Sequence, residues 1–281
     1  MILLGCFRKK MIQNKVKTFF QYISYSSLNV VAATIVCFVA FYKLPNNQPF
    51  NDFLSLAQLG LTCWAIYILD RLRDNISTSE IITDRHKFHF DHQFILQILL
   101  ISSVAITAII ALFQPFILNV YGIILLVVVG FYVYFISPKY PFLKELFMPI
   151  IYTSAVGGVP FVLNSSISFS SWILALMFFG IVIQNAFSFS YFESEEDQNS
   201  ENICRKIGQK NTRRVINYVT SLNIFLVIFF FGNQLLYTNL LAFIFAAISI
   251  LTSLVVANSS KFRNNYRWII DSLLFLPLIV F

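Results

Sequence analysis

Two pairs of acidic residues stand out because apolar runs lead into them. Asp70 and Asp74 form the first pair, and Glu193 and Asp197 form the second. Within each pair the residues are four apart, which places both carboxylates on one face of a helix, one turn from each other. Like charges at that spacing repel, so helix stability does not explain them. A divalent cation would remove the repulsion, and the pattern therefore predicts a metal site.

The two pairs hold matching places in the chain. Each ends the second helix of a predicted four-helix set, made of helices 1–4 or helices 5–8. Lys139 follows Asp70 by 69 residues and Lys261 follows Glu193 by 68, which indicates a weak repeat of two halves. If the halves pack about a common axis, the carboxylates face each other across a cavity, as at the repeat interfaces of transporters. Mg²⁺ binds carboxylates and substrate phosphates, so this cavity suits a diphosphate head with a hydrocarbon tail. The basic candidates for the remaining phosphate charge are Arg71, Arg73, Arg85, Lys139, Lys144 and Lys206.

Composition indicates which elements must position these acids. Of the 281 residues, 58% are hydrophobic and 12% are charged, whereas soluble domains carry about 25% charged residues. A soluble fold has too little polar surface for this composition, so we expect an all-α polytopic membrane protein. About 20 apolar residues cross a bilayer as a helix. Nine segments qualify, at roughly 22–42, 51–69, 93–113, 116–137, 146–164, 171–191, 216–233, 238–257 and 266–281, the last of them short.

Basic residues orient these spans, because Lys and Arg concentrate in cytoplasmic loops. Nine spans place 19 of the 20 basic residues on one side, and Lys43 alone lies opposite. We therefore expect a cytoplasmic N-terminus and an external C-terminus. We expect a bacterial inner membrane because nothing in the sequence resembles an organelle transit peptide. Residues 1–281 are predicted to form one transmembrane domain, with a basic segment at 1–20 and acidic pairs in the cytoplasmic loops 70–92 and 192–214. The net charge of +7 follows from this topology and does not indicate nucleic-acid binding.

At these residues the chain resembles the UbiA superfamily of intramembrane prenyltransferases. That family has nine helices and two aspartate-rich motifs, at the cytoplasmic ends of helices two and six. Its first motif is Asn, three residues, Asp, three residues, Asp. Asp70 and Asp74 match the two acids, while Ile66 stands in place of the Asn. Glu193 and Asp197 fill the second motif, which is usually Asp, three residues, Asp.

The resemblance implies a Mg²⁺-dependent enzyme that moves an isoprenoid chain from a prenyl diphosphate to an aromatic or lipid acceptor within membrane lipids. The catalytic and metal-binding residues that it implies are Asp70, Asp74, Glu193 and Asp197. Arg85 resembles the loop arginine of the family and Lys144 resembles its phosphate-side lysine. We expect both of them, together with Arg71, to bind the diphosphate.

Other interpretations of the same residues stay open. In one alternative, the two acidic pairs are simply solvated helix ends at the membrane surface. Ile66 favours a non-catalytic protein that binds or carries isoprenoid lipids on the same fold. A secondary transporter would carry acids deep in several helices, but only Asp271 is clearly inside a span, where it either pairs with Arg267 or has a functional role. The remaining candidate cluster consists of His86, His89 and His92, which are expected to be surface residues rather than metal ligands.

Overall fold

The structure, a computed structural model, describes residues 22–23, 25–44, 49–77, 84–164, 166–196, 201–232 and 235–281. For residues 73–77, 84–86 and 196 it describes the backbone alone. Within these ranges the chain is all-α, as the sequence predicts.

Twelve α-helices follow one another along the described chain. They are α1 (Leu28–Tyr42), α2 (Phe53–Ser77), α3 (Asp84–Asp91), α4 (Gln93–Ala111), α5 (Phe116–Phe131), α6 (Lys144–Leu163), α7 (Phe169–Glu196), α8 (Ile203–Ile207), α9 (Gln209–Leu226), α10 (Leu236–Ala257), α11 (Ser259–Phe262) and α12 (Tyr266–Leu273). A π-helical turn at Tyr132–Ile136 continues α5. Short 3₁₀ turns lie at Pro141–Leu143, Val227–Phe230 and Leu276–Val280.

Seven helices in the described part of the chain are long and apolar enough to cross a membrane, by length and composition. They are α2, α4, α5, α6, α7, α9 and α10, the second to the eighth of the predicted spans. This finding supports a multi-pass membrane protein. The predicted turn at Gln114 and Pro115 is confirmed, because α4 ends at Ala111 and α5 begins at Phe116 with Pro115 as its N-cap residue.

The first and last predicted spans are shorter in the structure. Helix α1 is apolar but has 15 residues, fewer than the ~20 that cross a bilayer, and most of the chain before it lies outside the described residues. Helix α12 has eight residues and is followed by the 3₁₀ turn. Pro277 is the second residue of that turn, and its ring and missing N–H do not suit an α-helix interior. Nine spans therefore stay a prediction.

Two compact units make up the chain. The first comprises the described residues of Met1–Ala32 and Ala57–Phe113. Its small core joins α2 to α4, because Ile68 and Leu72 pack against Leu96. Whether the chain acts as one transmembrane domain stays a prediction.

The second unit comprises Ala33–Leu56 and Gln114–Phe281. Helix α7 lies at its centre and packs against α6, α9 and α10. In α7, 61% of the most apolar stretch is buried, compared with 6% in α5. The rings of Phe41, Phe178 and Phe245 are fully buried and pack together, with centroid separations of 5.1 to 6.2 Å. This core holds α7 in place beneath its acidic end.

Buried polar side chains also tie α7 to α9 and α10. The Gln184 amide nitrogen donates to the Ile216 carbonyl at 3.0 Å and to Thr220 Oγ1 at 2.7 Å. The Asn223 amide nitrogen donates to Ser249 Oγ at 2.5 Å. In an apolar environment such bonds fix one arrangement of neighbouring helices.

Candidate functional site

The first acidic pair lies on one continuous helix, because Asp70 and Asp74 both belong to α2. Asp70 is 37% exposed, and its Oδ2 lies 3.9 Å from Nη1 of Arg71, at the limit of an ion pair. The Asp74 side chain lies outside the described residues, as does that of Arg85, whose backbone is in α3. The structure thus describes one carboxylate and one guanidinium of this predicted site.

One of the three nearby histidines differs from the expectation of surface residues. His89 is 1% exposed, so the expectation of a surface residue is wrong for it. His92 Nδ1 lies 2.9 Å from the Phe88 carbonyl oxygen, and the His86 side chain is not described. Among the described side chains, no three His, Cys, Asp or Glu residues come together as a metal site.

The second acidic pair is represented by Glu193, in the last turn of α7, because Asp197 lies outside the described residues. Arg267 Nη2 donates to Glu193 Oε1 and forms an ion pair with it. The two residues are 74 positions apart, so sequence spacing carried no signal of this contact. The sequence had offered Asp271 as the partner of Arg267, and Asp271 does lie within electrostatic range of it.

A further acid, Glu145, joins this group and was missed at the level of sequence. It follows Lys144 in the first turn of α6, where a helix dipole favours any acid, so its position suggested nothing special. Glu145 lies within electrostatic range of both Lys144 and Glu193, and it hydrogen-bonds to the Ile203 backbone. Its Oε2 atom is buried and has no hydrogen-bond partner among the described residues. Charged side chains from α6, α7 and α12 therefore form one network.

Two more arginines bind the last turn of α7. Arg205 Nη2 donates to the Ser194 carbonyl oxygen at 3.1 Å, and Arg263 Nη2 donates to the Glu195 carbonyl oxygen at 3.0 Å. Guanidinium groups at a helix C-terminus satisfy its free carbonyls and complement the helix dipole. The charged end of α7 is thus surrounded by cations.

The short helix α8 carries Arg205 and Lys206 and packs against the helix bundle. Asn202 Oδ1 accepts from the Arg205 backbone N–H at 3.0 Å and caps the helix. The Cys204 N–H donates to Ser190 Oγ of α7 at 2.9 Å. Lys206 Nζ lies 3.5 Å from the centre of the Phe142 ring, just before α6. The helix therefore links α7 to the entrance of α6.

The structure groups Lys144, Glu145, Glu193 and Arg267 within the second unit. Asp70 and Arg71 belong to the first unit. The predicted meeting of the two acidic pairs therefore stays a prediction.

Comparison with known proteins finds no family model, no curated protein and no solved structure that matches the chain. The resemblance to the UbiA superfamily accordingly depends on the acidic motifs, their spacing and the arrangement of the spans.

Proposed function

We propose that the chain is an intramembrane prenyltransferase, similar to the UbiA superfamily, that transfers an isoprenoid chain from a prenyl diphosphate to an aromatic or lipid acceptor. The observation that supports it best is the charged end of α7, where Glu193 lies among arginines at the end of an apolar helix. A prenyl diphosphate joins an anionic head, which arginine binds well, to an apolar tail. The seven apolar helices supply a setting that dissolves such a tail.

The carboxylates near the ends of α2 and α7 are of the chemical type that Mg²⁺ binds. Mg²⁺ takes one or two carboxylates and fills its other positions with water and phosphate oxygens. Asp70 and Glu193 are carboxylates of this kind with partly exposed side chains. We propose that Asp74 and Asp197 complete the two pairs. Bound Mg²⁺ would offset the negative charge that develops on the departing diphosphate.

The chain's own residues would bind the head group and shield the reacting carbon. Lys144 is exposed at the start of α6 and is proposed to hold phosphate oxygens, together with Arg71 and Arg85. The allylic C–O bond breaks, and the diphosphate leaves with the bonding electrons. The acceptor forms its bond to the same carbon and releases a proton to solvent. Apolar helix walls exclude water, which would otherwise hydrolyse the cation-like carbon.

We further propose nine spans in two repeated four-helix halves, with the N-terminus in the cytoplasm of a bacterium and the C-terminus outside. Contacts at helix ends in the second unit support the proposal that these ends lie on the same side of the membrane. Lys43, expected outside, lies 4.4 Å from the ring centre of Tyr237, which is also expected outside. Lys206 and Phe142 are both expected inside, and they are in contact as well.

The test is an assay of the purified protein in lipid nanodiscs with prenyl diphosphates, Mg²⁺ and a panel of aromatic and lipid acceptors. Prenylated product and free diphosphate are expected, EDTA should stop the reaction, and added Mg²⁺ should restore it. Asp70→Asn and Glu193→Gln are each expected to lower turnover by about 10-fold or more, since each removes a metal-binding charge. Glu201→Gln is the control, because Glu201 is an exposed acid of the same cytoplasmic loop. Turnover that survives both Asp70→Asn and Glu193→Gln would contradict the proposal.

A non-catalytic carrier of isoprenoid lipids is the second candidate. Ile66 and the existing Glu193–Arg267 ion pair favour it, because a carboxylate already paired with arginine does not require a metal. Such a carrier would bind prenyl diphosphates and release none of the diphosphate with any acceptor of the panel.

A further inference from the structure

Arg267 already forms an ion pair with Glu193 in the last turn of α7. It lies in the first turn of α12, and its guanidinium packs over the rings of Phe189 and Tyr266, at 5.5 and 5.2 Å from their centres. Its side chain is 33% exposed, and that of Glu193 is 37% exposed. A ligand arriving from solvent can therefore reach both members of the ion pair.

Two further acids lie near this ion pair. Glu145 lies within electrostatic range of Glu193, and Asp271 lies within electrostatic range of Arg267. Two carboxylates, those of Glu193 and Asp271, thus lie within electrostatic range of the Arg267 guanidinium. Because the Glu193 carboxylate is partly exposed, a cation that arrives from solvent can compete with Arg267 for it. When Glu193 binds such a cation, its ion pair with Arg267 breaks and the guanidinium becomes available to another anion.

We infer that Arg267 is a diphosphate-binding residue that exchanges partners, pairing with Glu193 until Mg²⁺ and substrate arrive and with diphosphate oxygens afterwards. The inference rests on the proposed function and adds a residue to it. A guanidinium carries five N–H donors in a rigid fork that matches phosphate oxygens, and it stays protonated at every physiological pH. The rings of Phe189 and Tyr266 keep the guanidinium beside Glu193, where a bound diphosphate would have to meet it.

Calorimetric binding of inorganic diphosphate to the full chain in detergent, with and without Mg²⁺, tests this exchange. Glu193→Gln removes the competing charge, so metal-free diphosphate should bind more tightly while the gain from Mg²⁺ shrinks. Arg267→Ala should weaken binding in Mg²⁺ by about 10-fold or more, since charge-assisted hydrogen bonds are lost. Arg267→Lys should recover part of that loss, because it keeps the charge without the fork. Arg214→Ala is the matched control, since Arg214 is exposed on α9 and donates to Asn211.

The outcomes separate the two proposals. If the wild type binds diphosphate with Mg²⁺ and Arg267→Ala behaves like Arg214→Ala, the role of Arg267 is refuted and the proposed function stands. If the wild type binds no diphosphate under either condition, both are refuted. Should Arg267→Ala fail to fold, Glu193→Gln decides alone, because an equal loss with and without Mg²⁺ contradicts an exchange of partners.

Discussion

Replacing Gly158 by alanine should destabilise the packing of α5 on α6, because Tyr121 takes the space for a side chain. A Cβ atom at Gly158 would lie 1.9 Å from the Tyr121 hydroxyl oxygen and 2.6 Å from its Cζ. That hydroxyl donates to the Ser154 carbonyl oxygen at 2.7 Å, so moving the ring also breaks a hydrogen bond. Overpacking costs about 1–3 kcal/mol, and the lost hydrogen bond costs about 1 kcal/mol. Alanine recovers about 1 kcal/mol of helix propensity, which leaves a net loss of about 1–3 kcal/mol.

The free energy of unfolding in mixed detergent micelles measures this effect. Gly157→Ala is the matched control, since its Cβ would meet the Phe41 ring at an ordinary contact of 3.4 Å. Tyr121→Phe removes the nearest atom, so Gly158→Ala should cost less in that background than in the wild type. Equal stability of Gly158→Ala and Gly157→Ala would show that Tyr121 does not fill this space and would refute the reasoning.

Two further predictions concern the described elements of the second unit. Asn223→Leu removes the donor to Ser249 and should lower the free energy of unfolding by about 1–2 kcal/mol; an unchanged unfolding midpoint would argue against the polar contact between α9 and α10. Gly208 joins α8 to α9 with φ of 85° and ψ of 150°, a conformation that costs other residues about 1–3 kcal/mol. Gly208→Ala should therefore speed amide hydrogen exchange across α8, whereas Gly130→Ala, with no atom within 4 Å of its Cβ, should not.

Much of the fold could be predicted because membrane helices are specified locally. A helix in lipid satisfies its own backbone hydrogen bonds, so a run of apolar residues suffices to indicate a span. Pro115 separated α4 from α5 for an equally local reason, since proline does not fit the interior of a helix. Local signals were weaker at the end of the chain. There, 266–281 is apolar enough to suggest a span, but the chain around Pro277 forms a 3₁₀ turn after the short helix α12.

For the candidate site, less could be predicted from the sequence than for the fold. The sequence by itself determined that acidic residues lie at the ends of apolar helices, because this follows from composition along the chain. The gathering of basic residues on one side of the membrane stays a prediction. Only the tertiary structure decided that Arg267 forms its ion pair with Glu193, that Glu145 joins them, and that His89 is buried. The packing of α12 against α7 brings together side chains that are 74 residues apart, and no spacing within a helix can encode such a contact.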